Sequence, residues 1–182
     1  AIFACVLALL ATIFRQEISS RIKWSIAGGI VVGSVLLVLF VPSIQLRVFE
    51  LFNNTGYNST SLRMAIYQCG LHTAEQNWIL GTSIEQLQTV LNQCYQSSYP
   101  ELFVDGRDYN THNEFLNVLN AKGVLGLLLF LAPIGFFIRK SRYSNAMLIF
   151  TILICCIFMT ENILERQIGV FFYPLYGFAL FL

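Results

Sequence analysis

Residues 110–130 read NTHNEFLNVLNAKGVLGLLLF. The polar run Asn110, Thr111, His112, Asn113 and Glu114 opens directly into an apolar stretch, and this junction decides how the chain is organised. Thr111 followed three residues later by Glu114 is the pattern of a capping box, so a helix is expected to start near His112. Phe115, Leu116, Val118 and Leu119 continue the apolar face upstream of Gly123, giving an expected membrane span over about residues 115–138, where about 20 residues are needed. A helix that only has to enter a membrane can follow any loop. A His flanked by amides at that junction therefore points to chemistry at the membrane surface.

The 182-residue chain is 56% hydrophobic and only 12% charged, whereas a soluble domain carries about a quarter charged residues. Further apolar runs at residues 1–14, about 25–42, about 145–159 and 169–182 bring the expected spans to five, the first and last cut short. Arg15, Arg21 and Lys23 in the link 15–24, and Arg139, Lys140 and Arg142 in the link 139–144, mark both links as cytoplasmic. By parity, residues 43–114 and the link around 160–168 lie on the other side. The expected fold is all-α, a polytopic transmembrane helical bundle with a large helical external loop.

The chain begins and ends inside apolar runs, with no initiator Met and no signal-peptide pattern. Residues 1–182 are therefore expected to be a partial membrane domain, an excerpt of a longer protein, with the external loop 43–114 inside it. A net charge of +1 supplies no basic face for neutralising phosphates, so nucleic acid is not an expected partner and membrane lipids are.

Structureless loops beyond about 12–15 residues are usually functional or disordered, and the composition of the external loop argues for order. Leu62, Ile66 and Cys69 recur at helical spacing behind Ser59, Thr60 and Ser61, which can cap a helix start. A second helix is expected from about Ser83 to Tyr95, with Ile84, Leu87, Val90 and Leu91 on one face. Cys69 and Cys94 both fall in this loop, where an oxidising compartment would let them bond and a reducing one would leave two thiols. Asn53-Asn54-Thr55 and Asn58-Ser59-Thr60 are glycosylation triplets that matter only in a host that glycosylates.

In the first turn of a helix, His112 would meet the partial positive charge of unpaired backbone N–H groups, which disfavours the imidazolium and leaves a neutral base. The same helix end attracts an anion. A purely polar interface residue would read the same way. Arg63 is the one cation within the first external helix, and its planar fork matches diphosphate oxygens; a solvated surface Arg is the plain alternative. Glu161, Asn162, Glu165 and Arg166 crowd the short link between the last two spans, where charge marks a substrate route or anchors helix ends in headgroups. His72 is the only other His, and no His-x-x-x-His or Cys-x-x-Cys spacing exists, so neither a metal site nor a cofactor is expected.

Three segments in this order, SLRMAIYQCGLHTAEQNWILGTS (61–83), THNEFLNVLNAKGVLGLLLF (111–130) and MTENILERQIGVFFYPLYGFAL (159–180), resemble the O-antigen ligase and O-antigen polymerase superfamily of bacterial envelope polysaccharide enzymes. The first carries Arg63 and a Trp-x-x-Gly end at Trp78 to Gly81, the second the His-Asn pair, the third the final external turn and span. The likeness covers about residues 60–182, and earlier residues only by topology. It implies a metal-independent glycosyltransferase of the bacterial inner membrane, its large loop periplasmic. The donor would be a polyprenyl-diphosphate-linked glycan and the acceptor lipid A core or a growing glycan. By the same resemblance His112 is the base for the acceptor hydroxyl and Arg63 holds the donor diphosphate. Asn113, Glu161 and Arg166 are the further substrate-binding candidates, and Arg47 is a possible upstream family Arg.

Direct displacement at the anomeric carbon needs a base and a cation and inverts the centre. The competing class is a transporter or flippase for a lipid-linked sugar. Transporters place charge near the bilayer midplane, whereas here the polar cluster lies at the outer boundary.

Overall fold

The fold comes from a computed structural model that describes residues 2–52 and 58–179. The regular elements among the described residues are all helical, without strands: α1 (Ile2–Arg15), α2 (Ser20–Phe40), α3 (Pro42–Phe52), α4 (Ser59–Asn77), α5 (Ile84–Ser98), α6 (Glu114–Lys140), α7 (Asn145–Phe158), a 3-10 turn over Ile163–Glu165, and α8 (Gln167–Ala179). Helices α2 and α6 are long and apolar enough to cross a membrane, and Cys5–Arg15 and Asn145–Phe158 are shorter apolar helices. No residue of α2 is buried, and most of its Val, Leu and Ile side chains are exposed.

The run expected at 25–42 ends two residues early. Val41, preceding a proline, is extended, as the clash with the proline ring dictates, and Pro42 opens α3 at the first helical position, where a missing N–H costs nothing. Asn53-Asn54-Thr55 lies outside the described residues, as does the side chain of Arg47.

Two cores organise the chain. One joins α6, α7 and neighbouring aromatics around Ile134, Phe137, Met147, Phe150, Ile154 and Phe158. Beside it α1 packs on α7. The guanidinium of Arg15 donates to the backbone carbonyls of Ser141 and Arg142, so the two basic links meet at one end of the helices.

The second core holds the α4–α5 hairpin. Ile66 and Cys69 of α4 pack on Leu87, Leu91 and Tyr95 of α5, Tyr95 stacks on Phe103 with ring centroids 4.4 Å apart, and Cys69 and Cys94 are joined as a disulfide. Of the expected apolar face of α5, Ile84 is exposed and Val90 only half-buried; Tyr95 takes the third core place instead. The start of α4 is capped by Asn58. Its side chain accepts from Thr60 and Ser61 N–H while the Ser61 hydroxyl receives the Asn58 N–H, so the cap lies just before the serines the sequence offered.

The third expected span is not one straight helix. Gly123 adopts φ 65°, ψ −168° and breaks α6. The turn between α4 and α5 fills the gap: Thr82 N–H donates to Asn120 O at 2.7 Å, Ser83 N–H to Ala121 O at 3.1 Å, and Val124 N–H to Trp78 O at 2.8 Å. These bonds recover groups that the broken helix leaves unpaired. The approach is so close that a Cβ on Gly123 would stand 2.1 Å from Ile79 O, and one on Gly81 (φ 78°) 2.5 Å from Lys122 N. Phe115, Leu116, Val118 and Leu119 therefore belong to a separate segment above the break.

Candidate active site

Helix α6 starts near His112, as expected, but two residues after it. Asn113 is its N-cap, with Oδ1 accepting from Leu116 N–H at 3.0 Å, and Glu114 is its first residue. Thr111 is buried instead and donates to Asn113 O at 3.0 Å. The Glu114 carboxylate does not fold back to close a capping box; it accepts from Leu164 N–H at 3.0 Å. Tertiary partners have won over the local motif.

His112 thus sits before the helix, not in its first turn, with φ 47°. Positive φ is uncommon outside Gly, though His tolerates it better than bulkier residues, and it persists only where surroundings enforce it. Here they do: Asn110 Oδ1 accepts from His112 N–H at 3.2 Å, and Tyr67 of α4 donates its hydroxyl to His112 O at 3.4 Å.

The link after α7 is tied to the same strip of chain. Asn162 is buried and hydrogen-bonded to the Thr111 hydroxyl at 3.2 Å. Glu165 receives the amides of Asn110 and Asn117, each at 2.8 Å, and that of Asn162 at 3.1 Å. Glu114 is only 3% exposed. Burial first, and the Glu165 charge second, push its carboxyl up, against the lowering effect of the Leu164 N–H bond.

This clamp presents Glu161 to the cations. Its Oε2 lies 3.6 Å from His112 Nδ1 and 3.7 Å from the guanidinium of Arg166, while Oε1 lies 3.7 Å from that of Arg63. Four of the residues singled out in the sequence therefore converge on one patch, from α4, from the strip before α6 and from the link before α8. His112 Nδ1 is buried with no hydrogen-bond partner, so the Glu161 carboxylate is its counter-group at ion-pair range. Side chains of Arg63 and Arg166 are 47% and 72% exposed. Asn113 holds the helix cap and also borders an apolar groove of about 540 Å³, lined with Tyr67, Leu71, Phe115, Leu116 and Met159 among others. Among the described residues no group of three His, Cys, Asp or Glu could hold a metal ion.

Sequence reasoning passed over Tyr67, and placed Asn110 and Thr111 in the polar run without giving either a part in holding the site together. Nothing in their local pattern signals the long-range bonds that give them a role.

A sequence profile described as O-antigen ligase matches residues 1–131. The chain belongs to the O-antigen ligase family. The match takes in Arg63 and His112 and also the first helices, which the motifs tied to the family only by topology, while the stretch carrying Glu161 and Arg166 lies beyond it. No curated protein and no solved structure matches the chain. O-antigen ligase membership places it among inner-membrane, glycosyltransferase-like enzymes of lipopolysaccharide biosynthesis, whose donors are lipid-linked glycans and whose acceptors are glycans or lipid A.

Proposed function

We propose that this chain carries the reaction centre of a metal-independent, inverting glycosyltransferase, which moves a glycan from polyprenyl diphosphate onto an acceptor hydroxyl. The helices cross the inner membrane several times, and the face with α4, α5 and Glu161 looks into the periplasm. The observation that carries the reading is the Glu161 carboxylate held between His112, Arg63 and Arg166 at 3.6–3.7 Å. Stability does not account for it, because exposed ion pairs are worth only about 0–1 kcal/mol each.

With Nδ1 turned to Glu161, Nε2 is the nitrogen that takes the acceptor proton, and the carboxylate orients the ring and steadies the charge it gains. The acceptor oxygen attacks the anomeric carbon from the face opposite the diphosphate, forming the new C–O bond. The carbon–oxygen bond to phosphate breaks, and its electron pair leaves on the diphosphate. Arg63, aided by Arg166, turns from Glu161 to hold that growing charge. Distances of 3.7 Å lie outside direct hydrogen-bond range, so little is lost when the guanidinium groups turn. Asn113 borders both this patch and the apolar groove, which suits the isoprenoid tail of the donor.

The test is expression of the full-length protein in a strain lacking its own copy, comparing wild type, His112→Ala and Arg63→Ala at equal protein level, with surface polysaccharide resolved on a gel. Polymer left on its lipid carrier identifies a ligase, and single repeat units identify a polymerase. Wild-type behaviour of both variants would discard the catalytic reading in favour of transport. Retention of anomeric configuration in the product would discard direct displacement.

A further inference from the structure

The turn between α4 and α5 exposes four large apolar side chains in sequence proximity: Trp78 at 55%, Ile79 at 52%, Leu80 at 80% and Ile84 at 66%. Nothing in the glycosyl-transfer reading uses them. An exposed apolar cluster of this kind marks an interaction surface, and its place in the fold says what covers it. The turn is bonded to the break in α6 through Thr82, Ser83 and Trp78 at 2.7–3.1 Å, so its height along α6 is that of Gly123. From Val124 to Lys140 the helix rises roughly 25 Å, at about 1.5 Å per residue. The hydrocarbon of a bilayer is about 30 Å thick. With Arg139 and Lys140 at the opposite boundary, Val124 cannot stand clear of the membrane, and neither can a turn hydrogen-bonded to it.

Two further features agree. Just below the break, Leu125, Leu128 and Leu129 are exposed along one face of α6, so an apolar surface runs on from the break. Beside the break stands the exposed Lys122, and a Trp with a neighbouring Lys is the pairing found where side chains meet headgroups.

We propose that residues 78–84 are an interfacial membrane anchor, seating Trp78, Ile79, Leu80 and Ile84 in the outer headgroup and upper acyl region of the bilayer. The α4–α5 hairpin is thereby fastened at both surfaces: to α6 by backbone bonds and to lipid by this turn. The proposal rests on α6 crossing the membrane and is independent of the roles given to His112 and Arg63. Its purpose is positional, since α4 carries Arg63, whose height over the membrane then cannot drift.

Trp78 is its own reporter, because the chain has only one other tryptophan, Trp24. The full-length protein, with Trp24→Phe and any remaining tryptophan outside this chain also replaced by Phe, would be reconstituted in phosphatidylcholine and phosphatidylglycerol vesicles. Nitroxide lipids labelled near the headgroup or near the chain end, and aqueous iodide, serve as quenchers. The expected result is blue-shifted emission, quenched more by the shallow label than by the deep one and weakly by iodide. Leu80→Asp, at a side chain with no packing to lose, should shift the emission to the red and reduce the lipid quenching while helicity is kept. Quenching by iodide alone would overturn the anchor. So would shielding from iodide and both lipids, which would mean that protein covers the turn, and so would lipid quenching that Leu80→Asp leaves unchanged. Glycosyl transfer by the same preparation is scored separately, so failure of the anchor and failure of the catalytic reading are told apart.

Discussion

Glu161 Oε2 stands 3.6 Å from Nδ1 of His112, and that nitrogen is buried without any hydrogen-bond partner. On the proposed mechanism this carboxylate acts through the imidazole. His112→Ala should lower kcat by roughly 10²–10⁴-fold, the usual worth of a general base, with little change in KM. Glu161→Gln should cost less, and the double variant should be no slower than His112→Ala alone, because groups acting as a unit are not additive. A double variant whose loss equals the product of the single losses would separate Glu161 from the base.

Arg63→Ala should lower kcat/KM for the lipid-linked donor by about 10–200-fold, the equivalent of a charged hydrogen-bond contribution of about 1.5–3 kcal/mol. Arg63→Lys should restore only part of this, since an ammonium lacks the planar fork. Arg166→Ala should cost less than Arg63→Ala, because the Arg166 side chain is 72% exposed and its charge is screened. Steady-state kinetics on the purified protein with defined donor would show the order.

Glu114 gives a stability prediction with an unexpected sign. Burial raises its pKa, so the folded state favours the protonated form. The stability this contributes is fully present below the unfolded pKa and is lost as pH rises through the folded one. Glu114→Gln keeps an oxygen for Leu164 N–H and removes the buried charge, so its melting temperature should equal or exceed wild type at neutral pH, with a flatter acid-side pH dependence. Glu114→Ala orphans the Leu164 N–H and should cost about 1–3 kcal/mol. Thermal melts of the purified protein across the pH range check both.

The Cys69–Cys94 bond closes a loop with a sequence separation of 25. Removing a disulfide of this size costs about 2–4 kcal/mol. Reductant, or Cys69→Ser with Cys94→Ser, should lower the melting temperature of the wild-type protein, while reductant should leave the double variant unaffected.

Gly123→Ala must displace Ile79 O, which a Cβ would approach to 2.1 Å, and must hold φ 65°. Strain alone is worth about 1–3 kcal/mol, and loss of the interlock adds to it. The variant should be less stable than Gly135→Ala, lower in the same helix, where a Cβ meets nothing within 4 Å, and melting curves of the two would rank them.

Much of the fold was legible because helix signals are local. Periodic Leu62, Ile66 and Cys69, and the apolar richness of α2 and α6, act over three or four residues or through composition alone. The candidate site was legible only as a set of residue types. His112 was expected inside the helix from Thr111 and Glu114, yet Asn162 and Leu164 engage those two side chains and leave the capping to Asn113.

By itself the sequence determined an all-helical chain of membrane composition, the two basic links, the helical order of the α4–α5 hairpin, and the family. Tertiary structure alone decided the break at Gly123, the engagement of Asn110 and Thr111, and the meeting of Arg63, His112 and Arg166 on Glu161. The division has a physical cause. Propensity and hydrophobic pattern are carried by neighbours in the chain, whereas a broken helix and a polar cluster exist only when distant segments supply the missing hydrogen bonds and counter-charges.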